Sequence, residues 1–140
     1  MKKHLIIHGN EVSGKSVFIN TLLQPRIKHV EKINGKGLKL SEDNFLWTLG
    51  DFRPKFLWFE DLNLNTHPEE FLPFTENIKV NAQMQEVFYI SPTLIIEYSG
   101  EFKNLPKESW FTRRFAVFNT NTCTYKDLID YLKIFNDAKY

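Results

Sequence analysis

Apolar residues along the chain fall in short continuous runs: "HLIIH" (His4 to His8), "FLWF" (Phe56 to Phe59), "TLIIEY" (Thr93 to Tyr98) and "RFAVFN" (Arg114 to Asn119). Each run is rich in β-branched and aromatic residues, and runs of this length predict strands buried on both faces. Between them, Gly14 to Leu23, roughly Pro68 to Phe74, and the C-terminal "TYKDLIDYLKIFNDAKY" predict helices. In the last of these, Leu128, Tyr131, Leu132 and Phe135 share one face, and Thr124 with Asp127 forms a capping pair at its start. Strands alternating with helices predict an α/β fold, a mostly parallel central sheet flanked by helices. Residues 24–52 are harder to read: "KINGKGLKLS" suits a turn between strands, and "NFLWTL" suits strand or helix.

Composition narrows the picture. With 140 residues, 42% of them hydrophobic, one well-buried core is expected and residues 1–140 read as a single domain. No repeat or low-complexity tract marks a linker. Lys plus Arg total 18 against 17 Asp plus Glu, so no global field points to nucleic acid or a membrane. Cys123 is the only cysteine, which excludes an intrachain disulfide. His4, His8, His29 and His67 lack ligand spacing, so no structural zinc is expected. The apolar runs are far below the ~20 residues of a membrane span, and "MKKHLIIHGN" turns polar too soon for a signal peptide. A soluble, cytoplasmic protein is the expectation, without membrane contact.

The candidate chemistry begins at "GNEVSGKS", Gly9 to Ser16, which matches G-x-x-x-x-G-K-[S/T]. It lies between a buried-strand pattern and a helical one, where backbone N–H groups and a helix N-terminus favour an anion. Gly9 and Gly14 would permit the tight backbone path around Asn10, Glu11, Val12 and Ser13. Lys15 would reach the terminal phosphates, Ser16 would ligate Mg2+, and Val17 continues the helix. The bland alternative is a glycine-bearing turn with a solvated lysine. Such a loop needs a carboxylate near its magnesium, and "KFLWFEDLN" supplies Glu60 and Asp61 after four apolar residues. One would bind the metal through water and the other would orient or deprotonate the attacking water; spacing does not say which. ATP and Mg2+ are the expected cofactors.

Taken together, these motifs resemble those of the superfamily 3 helicases, the AAA+ replication motors of small DNA viruses and plasmids. "GNEVSGKS" is similar to the family's Walker A and "LWFEDL" to its Walker B, paired acids included. "NIKVNAQMQEVFYISPTLIIEYSGEF" resembles the segment that carries a hairpin, here within residues 78–90, and a sensor strand. "WFTRRFAVFN" resembles the arginine-finger stretch; Arg114 is the better match and Arg113 its neighbour. The resemblance implies an AAA+-like P-loop ATPase that forms a ring, usually a hexamer, with ATP between subunits. The arginine of one subunit would meet the γ-phosphate held by the next, and the hairpin would grip DNA. A guanidinium supplied in trans would stabilise the charge of phosphoryl transfer and couple it to subunit contact.

The chain also differs from that family. Ser99 stands where the sensor strand usually ends in an asparagine, and it is expected to position the attacking water. The hairpin tip reads "NAQMQEVF", with no Lys or Arg, so DNA binding is expected to be weak; Lys79 lies in the stem. Met1 directly precedes the first strand, so no separate oligomerisation or origin-binding domain is expected. Part of the aromatic load, 13 Phe, three Trp and five Tyr, suits a subunit interface as well as a core. The partner is then a further copy of the chain or a related motor subunit, and a eukaryotic viral source would place it in the host nucleus. The alternative is a nucleotide-dependent regulator that docks on a related motor and does not translocate. A small-molecule kinase would need an arginine-rich lid, and the chain has only Arg26, Arg53, Arg113 and Arg114.

Overall fold

The computed structural model describes residues 4–9, 14–36, 38, 49, 52–62, 68–80, 87–100, 103, 105–121, 126, 127 and 130. In chain order these form β1 (His4–His8), α1 (Lys15–Leu23), a 3-10 segment (Gln24–His29), β2 (Val30–Asn34) and β3 (Phe56–Leu62). A second 3-10 segment (Pro68–Thr75), β4 (Ile78–Val80), β5 (Phe88–Ile90), β6 (Thr93–Tyr98), α2 (Ser109–Arg114) and β7 (Phe115–Asn119) follow. Five strands make a parallel sheet in the order β2-β3-β6-β1-β7, and β4 pairs with β5 as an antiparallel hairpin.

The three central strands are the three most apolar runs. All five residues of β1 and the first four of β3 and of β6 are buried, because both faces of the sheet are covered. On one face α1 packs Ile19, Leu22 and Leu23 against Leu5, Ile7, Phe56, Trp58 and Ile95. A nine-residue helix is marginal by itself, so this burial, worth roughly 1.5–3 kcal/mol per large apolar side chain, holds it in place. Pro25 stops α1, and the Arg26 guanidinium donates to the Leu22 carbonyl at 3.4 Å. On the opposite face Ile6, Leu57, Phe59, Leu94 and Ile96 meet the hairpin residues Ile78, Val80, Phe88 and Ile90, together with Phe74, Phe111 and Phe115.

Several elements differ from the pattern-based expectation. The Pro68 helix is a 3-10 segment containing Pro73, which has no N–H to give an α-helical ladder. Arg114 is the last residue of α2, so the strand expected from Arg114 begins at Phe115. β2 lies at an edge and mixes exposed with half-buried positions, which hid it within residues 24–52. After it, the Lys36 N–H donates to Asn34 Oδ1 at 3.0 Å in the expected turn. Of the C-terminal helix, Lys126, Asp127 and Asp130 are helical; Thr124, Leu128, Tyr131, Leu132 and Phe135 lie outside the described residues. So does "NFLWTL" apart from Leu49, which is buried.

Candidate nucleotide site

At the carboxyl edge of the sheet, β1 runs out at His8 into Gly9 (φ 152). Asn10, Glu11, Val12 and Ser13 lie outside the described residues, and the chain returns at Gly14. Gly14 is the N-cap of α1 with φ 86 and ψ 26, a left-handed conformation; a Cβ there would meet nothing within 4 Å, so backbone conformation and not space calls for glycine. No side chain caps α1 and no acid sits in its first turn, which leaves the leading N–H groups and the positive end of the helix for an anion. Lys15 and Ser16 open this helix. Lys15 is felt at His8, whose imidazole is held below its ordinary value by burial first and by the lysine charge second.

The paired acids sit on a bulge. β3 and β6 match Phe59 with Ile96 and then Leu62 with Tyr98, so Glu60 and Asp61 together oppose the single residue Glu97. Asp61 takes φ 54, the only positive φ of a non-glycine residue among the described ones, and it is exposed. Glu60 is half-buried and pairs with Lys32 of β2 at 2.5 Å, while the same ammonium lies 4.3 Å from the centre of the Trp58 ring. Gly35 follows β2 closely against this strand: its N–H donates to the Glu60 carbonyl at 2.6 Å, and a Cβ would lie 2.5 Å from that oxygen.

Glu97, which in the sequence stands only as a neighbour of Ser99 with no role of its own, takes a place in this site. It is in register with Ile7 of β1, and its Oε1 accepts a 3.0 Å hydrogen bond from the Ser16 hydroxyl. Its Oε2 is buried without a hydrogen-bond partner among the described residues. The signal in the sequence is an acid interrupting "TLIIEY", legible only once β6 is known to neighbour β1. Ser99 is exposed just past β6, and its N–H donates to the Leu62 carbonyl at 3.0 Å.

No protein-family model matches the chain, and no curated protein does. Among solved structures, 94% of the chain is similar to the A-form apo structure of the NrS-1 C-terminal region, with 16% identity, a TM-score of 0.55 and 34% of that chain covered. A second A-form apo structure of that region matches with 12% identity, a TM-score of 0.56 and 35% coverage. JCV Helicase, bound to a thiazolopyridine compound, matches 94% of the chain with 14% identity, a TM-score of 0.56 and 38% coverage of its own chain. The chain has a helicase-like P-loop NTPase fold. It spans little more than a third of the length of these relatives.

In this P-loop fold the arginines lie at the other edge. Phe115, next after Arg114, pairs with His4 at the start of β1, whereas the glycine-bearing segment Gly9 to Ser16 follows the end of β1. Five residues at ~3.3 Å each separate the two edges by about 16 Å. Arg114 donates to the Trp110 carbonyl at 2.9 Å and to Glu76 Oε1 at 2.8 Å, and Arg113, exposed, donates to the Ser109 carbonyl at 3.3 Å. The hydrogen bond and charge of Arg114 hold the Glu76 carboxyl below the ordinary carboxylate value. His4, fully buried, accepts from the Leu94 N–H at Nδ1 (2.9 Å), which leaves Nε2 to donate to the Thr75 carbonyl (2.7 Å). That histidine ties the second 3-10 segment to the sheet beside the arginines. The hairpin stem shows Lys79 opposite Tyr89 on its exposed side, and the tip, residues 81–86, lies outside the described residues. Among the described residues no helix is long and apolar enough to cross a membrane.

Proposed function

We propose that the chain binds and hydrolyses ATP as an ATPase of superfamily 3 helicase type, acting in DNA replication or remodelling as one subunit of an oligomeric ring. The observation that carries this reading is the separation of groups between the two sheet edges. Lys15, Ser16, Glu60 and Asp61 gather at the carboxyl edge, and Arg114 sits about 16 Å away at the amino edge, out of reach of its own phosphate loop.

In this reading the loop from Gly9 to Val17 wraps the phosphates, with the uncapped start of α1 and Lys15 carrying the positive charge. Ser16 and the carboxylates at this edge offer the hard oxygen donors that magnesium takes; when bound, the cation would neutralise charge on the phosphate oxygens. Asp61, exposed on its bulge, orients the attacking water and accepts its proton, and Ser99 beyond β6 helps to place that water. Arg114 of one subunit stabilises the transferring phosphoryl group held by the next, with Arg113 beside it. DNA contact falls to the hairpin, where an exposed cation and aromatic lie side by side at Lys79 and Tyr89; such a pair supports weak, salt-sensitive binding.

Turnover of ATP by the purified chain tests the reading. It should rise faster than linearly with protein concentration and vanish in Lys15→Met and Arg114→Ala. Turnover linear in protein, or ATP bound without hydrolysis, would replace the motor by a nucleotide-dependent regulator. Single-stranded DNA at low salt should raise the rate modestly; an unchanged rate removes the hairpin from DNA binding.

A further inference from the structure

We propose that Glu97, and not Glu60, is the carboxylate that faces the nucleotide's divalent cation, working through the hydroxyl of Ser16. The inference rests on the nucleotide reading above and assigns a role inside that site.

Position comes first. β6 adjoins β1, while β3 lies one strand farther out, so at ~4.8 Å per strand the backbone of Glu60 is about 10 Å across the sheet from the phosphate-loop strand and that of Glu97 is half as far. The side chains follow the same division. Glu60 turns to the ammonium of Lys32, on the side away from β6, and Asp61 is carried out to solvent by its left-handed backbone. Of these three acids Glu97 alone makes a hydrogen bond with the described residues of Gly9 to Ser16, to Ser16 Oγ at 3.0 Å.

The second oxygen of Glu97 supplies an independent observation. Oε2 is buried and has no donor among the described residues. A buried carboxylate oxygen without a partner is costly, and it persists where a ligand completes its shell. A hydroxyl and a carboxylate joined by a hydrogen bond are a donor set suited to a hard divalent cation. Glu97 would keep the serine proton turned toward Oε1, presenting the hydroxyl oxygen to the cation, and Oε2 would take the cation or one of its waters.

The test compares ADP binding by the full chain in EDTA and in Mg2+, read by calorimetry or a fluorescent ADP, with Mn2+ paramagnetic resonance as a second readout of the ion's surroundings. Wild-type protein should bind ADP more tightly with Mg2+. Glu97→Gln keeps the size and the acceptor for Ser16 but removes the charge; it should lose about tenfold or more of the Mg2+-dependent gain. Affinity in EDTA should stay the same or rise, because a negative charge near the phosphates is gone. Ser16→Ala should lose the same gain from the other side of the hydrogen bond, and Glu60→Gln should keep it. Loss of the gain in Glu60→Gln as great as that in Glu97→Gln overturns the assignment, as does a wild-type protein that binds ADP equally with and without Mg2+. A wild-type protein that binds ADP under neither condition overturns the nucleotide reading itself.

Discussion

At the amino edge of the sheet, His4 uses both ring nitrogens, on the Leu94 N–H and the Thr75 carbonyl, and Arg114 is spent on Trp110 and Glu76. At the carboxyl edge, among the described residues, α1 begins without a side-chain cap, Asp61 holds a positive φ of 54, and one oxygen of Glu97 is buried without a donor. At the first edge His4 and Arg114 find partners within the chain, which contributes stability. The second leaves polarity unanswered, which costs stability and is what a site for a charged ligand requires. Arg114 joins the two: satisfied within its own chain, it is proposed to act on the open edge of another.

Substitutions should therefore separate by readout. The largest effect is expected at Arg114→Ala, which should lower ATP turnover ~10³-fold or more. The same change should move the denaturant midpoint little, because its partner Glu76 is 67% exposed. His4→Ala should reverse that ratio. Removing the ring strands the Leu94 N–H and the Thr75 carbonyl, so unfolding should become easier by about 2–4 kcal/mol, while the folded fraction keeps its affinity for nucleotide. Asp61→Val, a β-branched residue at φ 54, should cost about 1–2 kcal/mol in thermal unfolding, and Asp61→Asn much less, because Asn tolerates that region.

A pH titration sharpens the comparison at the carboxyl edge. The folded chain binds the His8 proton less tightly than the unfolded chain, for which the ordinary value is 6.5. The associated stability is intact above that value and is lost as pH falls through the lower folded value. Denaturant midpoints should fall on acidification below about pH 6.5, and His8→Asn should flatten part of the slope. The smallest effect is expected at Lys32→Ala. Its pair with Glu60 is half-exposed, so its removal should change stability by less than about 1 kcal/mol.

How much of this was legible in the sequence depends on burial. β1, β3 and β6 are covered on both faces, so "HLIIH", "FLWF" and "TLII" are continuous and stand out. β2 lies at an edge and carries polar residues on exposed positions, so "VEKIN" has no such signature. α2 is only six residues long, too short for a helical period to show. The "GNEVSGKS" pattern stands out in the sequence because it lies in eight consecutive residues. The contact of Glu97 with Ser16 does not, because it comes from the pairing of β6 with β1, two segments about 90 residues apart. The bulge at Glu60 and Asp61 was hidden for the same reason: it exists only in register with β6.

Mixing two inactive variants tests the division of labour most directly. Lys15→Met subunits keep an intact Arg114, and Arg114→Ala subunits keep an intact phosphate loop, so a mixed assembly contains sites with both. ATP turnover should be near zero for each variant alone and should reappear on mixing. No recovery in mixtures shown by native mass to contain both subunits, or full turnover by Arg114→Ala alone, would contradict an ATP site shared between two copies of the chain.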